Sequence, residues 1–200
     1  MVIGLELLAP VAAYLSGAIP YSLLIGKARG VDLRTLGSGN IGATNVARNL
    51  GLRWGVIALL LDALKGYSPV LAARLLLPAD HPQRALLLGA TMLAAVLGHM
   101  FTVFLLFRGG KGVATALGSV LALSPIAGGV GAALYLGLYA AFHISSLGSL
   151  AMTVAVPLTM HLLGAARELV WAMLAISALI VIKHIPNIVR LIKGEEGKVG

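Results

Sequence analysis

The sequence predicts an all-α integral membrane protein of about seven short transmembrane helices, and three observations predict it. Hydrophobic residues make up 59% of the 200 residues and charged residues only 11%, more apolar surface than one soluble core of this size can hide. Apolar stretches of spanning length, about 20 residues each, recur along the chain and are separated by short polar clusters. The cations then fall on alternate connections, as expected of a chain that threads back and forth through a bilayer.

Taken in order, the first span covers about residues 4–26 and ends at the cluster holding Lys27, Arg29, Asp32 and Arg34. It lacks the basic leader of a cleaved signal peptide and is expected to be retained. The second, about 54–77, carries Asp62 and Lys65 three positions apart on one helix face, which predicts a pair turned toward the bundle. The third, about 85–107, stops at Arg108-Gly109-Gly110-Lys111. A fourth and fifth fill 113–142 and are divided near Ser124-Pro125, because proline disfavours helical geometry in the residue before it. The sixth and seventh cover about 147–164 and 169–185. With the N-terminus outside and the C-terminus cytoplasmic, eleven of the fifteen Lys and Arg residues lie on the cytoplasmic side. Arg74, Arg84 and Arg167 lie outside, and Lys65 lies within a span. Merging the fourth and fifth spans would reverse the C-terminal cations, so the bias favours seven. One transmembrane domain, residues 1–200, accounts for the chain.

The absence of Cys excludes disulfides, thiolate metal sites and a thioester intermediate. The net charge of +8 invites a nucleic-acid reading, but no basic, aromatic-interleaved soluble surface exists to bind one. No metal or cofactor is expected.

Three polar segments carry candidate chemistry. In Gly37-Ser38-Gly39-Asn40-Ile41-Gly42-Ala43-Thr44-Asn45, glycines that permit close backbone approach alternate with side-chain donors and acceptors, a composition suited to a phosphate or an acyl carbonyl. Arg48, three residues on, adds a planar anion clamp. Alone, the segment reads equally well as a polar loop between spans. The second segment, Arg108-Gly109-Gly110-Lys111-Gly112-Val113-Ala114-Thr115, is a glycine-rich turn entering a helix, a natural anion seat without Walker A spacing. Its plainer reading is a basic stop after a span. The third, His184-Ile185-Pro186-Asn187-Ile188-Val189-Arg190, spaces His184, Asn187 and Arg190 by three, toward one side of a helix that Pro186 can bend. A capping or solvated His is the plainer alternative there. Lys65, His99 and the Ser145-Ser146 pair are supporting candidates, since ionisable groups at membrane depth point to function by default. Under the charge-derived topology all three segments and Ser146 emerge on one face, which implies a site for a phosphorylated, partly lipid-like substrate.

On Ser38 to Asn45, Gly109 to Thr115, and His184 with Asn187-Ile188 and Arg190-Leu191, the chain resembles the bacterial acyl-phosphate:glycerol-3-phosphate acyltransferase family of the PlsY type. The resemblance runs from the first helix to the tail Gly194-Glu195-Glu196-Gly197-Lys198. It implies transfer of a fatty acyl group from acyl phosphate to the 1-position hydroxyl of glycerol 3-phosphate. The products would be lysophosphatidic acid and inorganic phosphate, in the first acylation of phospholipid synthesis. It further implies a multi-pass protein of the bacterial cell membrane with a cytoplasmic active site, no cofactor, and a functional link to a soluble enzyme that makes acyl phosphate. Carried over residue by residue, Ser38, Asn40, Lys111, His184 and Asn187 are expected in catalysis. Gly39, Gly42, Thr44, Asn45, Arg48, Lys65, His99, Gly110, Gly112, Thr115, Ser146 and Arg190 are expected around the substrates. The general base is left open between His184 and the substrate's own phosphate. A transporter for a phosphorylated solute is the competing class, and it should carry polar determinants on both sides of the midplane.

Overall fold

A computed structural model describes residues 2–199. Among them, ten α-helices follow in order: α1 Val2–Ala18, α2 Tyr21–Ala28, α3 Ala43–Leu50, α4 Leu52–Leu76, α5 Arg84–Met100, α6 Val113–Leu123, α7 Pro125–Phe142, α8 Ser145–Leu162, α9 Arg167–Lys183 and α10 Ile185–Ile192. Five segments are long and apolar enough to cross a membrane: Glu6–Ala28, Leu52–Leu76, Arg84–Leu105, Pro125–Phe142 and Ser145–Leu162. The pair α9 and α10, bent by 58°, makes a sixth when taken as one broken span. The remaining expected span, α6, has 11 residues, about 16 Å of helix, and does not by itself match a hydrocarbon core of about 30 Å.

The distribution of side chains is that of a protein dissolved in lipid. Leu7, Leu60, Leu75 and Trp171 point outward, while Asp62, Lys65, Thr91, Thr115 and Ser119 are buried. The apolar interior runs through Met92, Val96, Val120, Val156, Met160 and Ile176. Where apolar burial against lipid gains little, close backbone approach holds helices together. A Cβ on Gly118 would overlap the Ala63 carbonyl, and one on Gly66 the Thr115 carbonyl, so α4 and α6 touch along their backbones. Gly17 and Gly98 make the same close approach between α1 and α5.

Two expected features take more specific forms. Proline at position 20 divides the first span into α1 and α2, and the Lys65 ammonium donates to the Ile19 carbonyl at that break, 2.8 Å away. The same Nζ lies 2.9 Å from Asp62 Oδ1, so the pair predicted from the i, i+3 spacing is formed in the bundle interior. The third span runs past the end of its helix. α5 stops at Met100, and Thr102 Oγ1 donates to the Ala18 carbonyl at 2.6 Å and accepts from the Phe104 N–H at 3.2 Å, turning the chain back into the glycine segment.

Candidate active site

At one end of the bundle a polar cleft encloses about 600 Å³ of empty space, part of it open to solvent. Three helix N-termini converge on it. Gly42 to Thr44 bring the start of α3, Gly112 to Ala114 the start of α6, and Ser145-Ser146 the start of α8. None of the three carries an acidic residue in its own first turn, so the partial positive charge and free N–H groups of α3 and α6 face the cleft, while at α8 the Glu196 carboxylate stands against Ser146. Arg48 and Lys111 add two full charges to the same wall.

Glycine makes these entries possible. Gly37 and Gly39 have φ of 56° and 67° on either side of Ser38, and a Cβ on Gly37 would come within 2.5 Å of Asn45 Oδ1. Asn45 is buried and locks this turn from α3, its Nδ2 donating to the Leu33 and Leu36 carbonyls at 3.0 Å each. Thr44 Oγ1 lies 2.9 Å from Ser145 Oγ, which is 2.8 Å from the Tyr135 hydroxyl, so α3, α7 and α8 meet through hydroxyl groups at the cleft edge.

A second group of cleft residues is organised by Glu196. Its Oε1 accepts from Ser146 Oγ at 2.9 Å and from Asn187 Nδ2 at 2.6 Å, while Oε2 accepts from Arg190 Nε at 2.7 Å. Burial raises the Glu196 pKa, but the hydrogen bonds from Asn187, Arg190 and Ser146 outweigh it and hold the carboxyl below its ordinary value. Because Glu196 takes the amide nitrogen of Asn187, the amide oxygen turns the other way and accepts from Lys111 Nζ. Burial lowers the Lys111 pKa to about 8; Glu196 opposes that shift, while Arg190 and Arg48 reinforce it. The tail is tied down further by the Arg48 guanidinium on the Gly197 carbonyl and by the Val199 N–H on the His143 carbonyl at 2.9 Å.

His184 caps α9 where the chain bends into α10. Pro186 occupies the first turn of the new helix, where its missing N–H is no loss. The bend therefore keeps Asn187 and Arg190 together on Glu196 and leaves His184 as the joint. His184 Nδ1 lies 2.8 Å from the Ile180 carbonyl, which requires Nδ1 to be the protonated donor and leaves Nε2 as the acceptor in the neutral ring.

A family model described as glycerol-3-phosphate acyltransferase matches residues 7–194. The chain belongs to this family. Among its curated members, a glycerol-3-phosphate acyltransferase of Anaeromyxobacter sp. (strain Fw109-5) is 50% identical over 197 residues, covering 98% of this chain and 96% of the relative. One from Geobacter sulfurreducens is 47% identical over 193 residues, with 96% and 97% covered. The crystal structure of PlsY (YgiH), an integral membrane glycerol 3-phosphate acyltransferase, in its glycerol 3-phosphate form is similar with a TM-score of 0.91 and 42% identity. That match covers 98% of this chain and 96% of that one. The lysophosphatidic acid form of the same protein gives 0.89 and 41%, with 98% and 95% covered.

Of the residues the sequence nominates for this family's chemistry, twelve line the cleft: Ser38, Asn40, Gly42, Thr44, Asn45, Arg48, His99, Lys111, Gly112, Ser146, His184 and Asn187. Five do not. Gly39 turns the loop from behind, and Gly110 packs on His99. Thr115 Oγ1 is engaged by the Asp62 carbonyl at 2.9 Å, Lys65 by Asp62 and Ile19, and Arg190 by Glu196. Glu196 and Asp62 line the cleft without having been nominated. Glu196 sits in the family-like tail, and its signal is the Glu195-Glu196 pair in a chain that has only seven acidic residues. The spacing of Asp62 signals a partner for Lys65 and carries no sign of the cleft.

Proposed function

We propose that this chain is an acyl-phosphate:glycerol-3-phosphate O-acyltransferase. It forms 1-acyl-glycerol 3-phosphate and inorganic phosphate in the first acylation step of phospholipid synthesis. The observation that carries the reading is the convergence of three helix N-termini with Lys111 and Arg48 on one cleft, more positive charge than the single carboxylate of Glu196 offsets and a seat for two phosphate groups rather than one. An acyl phosphate is a mixed anhydride with a good leaving group, so positioning and charge neutralisation suffice and no enzyme nucleophile is required. The 1-hydroxyl oxygen attacks the acyl carbonyl carbon, the bond from that carbon to the phosphate oxygen breaks, and phosphate leaves. Lys111 and Arg48 neutralise the phosphate charge, while Ser38, Asn40 and nearby N–H groups face the carbonyl oxygen. Ser146 and Asn187 hold the glycerol phosphate. The hydroxyl proton goes to His184 Nε2 or to a substrate phosphate oxygen.

Seven crossings are proposed, with the N-terminus outside, the C-terminus in the cytoplasm, and the cleft on the cytoplasmic face of the bacterial inner membrane. The cation bias supports this arrangement. It would receive acyl phosphate from a soluble enzyme that produces it and release product into the lipid. A phosphate-solute transporter is disfavoured because several of the ionisable groups at the opposite end are already engaged. Arg74 donates to the Ala122 carbonyl at 2.7 Å, Arg84 to the Arg74 carbonyl at 2.7 Å, and His81 pairs with Glu6 at 2.8 Å.

The test uses purified protein in lipid with palmitoyl phosphate and glycerol 3-phosphate, following phosphate release and lysophosphatidic acid together. Glycerol-3-phosphate-dependent release with matching product, lost in Lys111→Ala, is expected. Folded wild-type protein that makes no product overturns the assignment. In the same assay, His184→Gln with unchanged turnover and pH profile would assign the proton to the substrate phosphate.

A further inference from the structure

The acyltransferase reading leaves one buried charged cluster unused. Asp62 and Lys65 on α4 and His99 on α5 are 2%, 4% and 7% exposed; Asp62 and His99 reach the cleft lining from the bundle interior, and Lys65 lies behind them. Asp62 is gripped from two further elements and from its own helix. Ser22 Oγ of α2 donates to Oδ2 at 3.1 Å, Thr115 of α6 donates to its carbonyl, and Lys65 closes the ion pair while holding Ile19. His99 Nδ1 stands 3.8 Å from Asp62 Oδ1. The other side of the His99 ring faces the glycine turn. A Cβ on Gly110 would overlap His99 Nε2, and one on Gly109 would overlap the His99 carbonyl oxygen. The Gly110 N–H donates to the His99 carbonyl and the Gly109 N–H to the Met100 carbonyl, each at 3.1 Å. Gly112, at φ 84°, allows the backbone to come so close to α5 that a Cβ there would lie 2.6 Å from Met100 Cε. The Gly109 to Gly112 turn is therefore moulded onto the end of α5, and Lys111 is the one side chain it projects.

We propose that the Asp62–Lys65–His99 cluster is a positioning device for Lys111, with His99 as the wedge that sets the Gly109-Gly110 turn and thereby aims the ammonium into the cleft. His99 acts through Lys111 and is a positioning residue. Electrostatic neutralisation of a leaving phosphate depends on where the charge is held before reaction, so a turn free to shift leaves the fold intact and weakens the seat. The inference rests on the acyltransferase reading, because its readout is substrate binding and turnover at that seat.

A double-mutant cycle tests it. Gly110→Ala, His99→Ala and the double variant are compared with wild type for kcat/KM in glycerol 3-phosphate and, by calorimetry, for the Kd of glycerol 3-phosphate. Gly110→Ala alone should lower kcat/KM roughly 30-fold, since the added methyl drives against the ring. In the His99→Ala background the methyl has room, and adding it should cost less than about threefold. Losses that multiply, or a harmless Gly110→Ala, overturn the proposal. If Gly110→Ala fails to fold, the pair Asp62→Asn with Lys65→Met removes both buried charges at similar volume. It should fold and lose about tenfold in kcat/KM, with unchanged kinetics overturning the proposal. Wild-type activity in the same experiment separates the two readings: an inactive wild type defeats the acyltransferase assignment, whereas an active one with additive losses defeats only the role of His99.

Discussion

Replacing Glu196 by Ala should cost about 100-fold in kcat/KM, although this residue lies four positions from the end of the chain. The magnitude follows from its three donors. Ser146 and Asn187 are 4% and 6% exposed, and each loses its acceptor in a place water reaches poorly. A buried donor left unsatisfied costs roughly 1–3 kcal/mol. Arg190, whose side chain is 36% exposed, recovers much of its loss by rehydration and is discounted. The sum is about 3 kcal/mol, or roughly 100-fold at 1.36 kcal/mol per decade. It falls on the cleft because Asn187, once free to rotate, no longer presents its oxygen to Lys111. Glu196→Gln keeps one acceptor and should lose about tenfold. The assay is phosphate release in lipid, with calorimetric binding of glycerol 3-phosphate to separate seat from turnover. An Ala variant within about threefold of wild type, correctly folded, would refute the claim that the tail organises the cleft.

Activity should decline on the alkaline side as Lys111 loses its proton. Burial pulls its pKa from 10.5 to about 8, and the charged form is the one that neutralises phosphate, so turnover should drop about tenfold per pH unit above that point. Lys111→Arg should abolish that limb, because guanidinium stays charged, and a limb that persists would place it elsewhere. At the α4–α6 backbone approach, Gly118→Ala should destabilise by about 1–3 kcal/mol, since its methyl meets the Ala63 carbonyl rather than a side chain that can move. Thermal unfolding in detergent reads this against Gly129→Ala, whose Cβ would meet nothing within 4 Å; equal unfolding temperatures would contradict the packing argument.

What the sequence determined by itself is set by periodicity and solvent. A hydrocarbon environment demands long apolar runs with internally satisfied backbones, so the helical class, the breaks at polar clusters and the interior pairing of Asp62 with Lys65 were all legible from spacing and hydropathy. The three glycine- and asparagine-bearing segments were legible for the same reason, since polar, flexible stretches stand out in such a chain. Distance between segments carries no such local signature. That Glu196 folds back onto Ser146, 50 positions earlier, depends on α8, α10 and the tail meeting in space. That Lys65 serves the Pro20 break while His99 wedges the glycine turn depends on how α1, α4 and α5 pack, where side chains three and four residues apart can face either a cleft or a neighbouring helix. Helix length is likewise a tertiary matter. The turn after Met100 and the glycine contacts set the start of α6 against α4, so the fourth proposed crossing contains an 11-residue helix whose N-terminus lines the cleft.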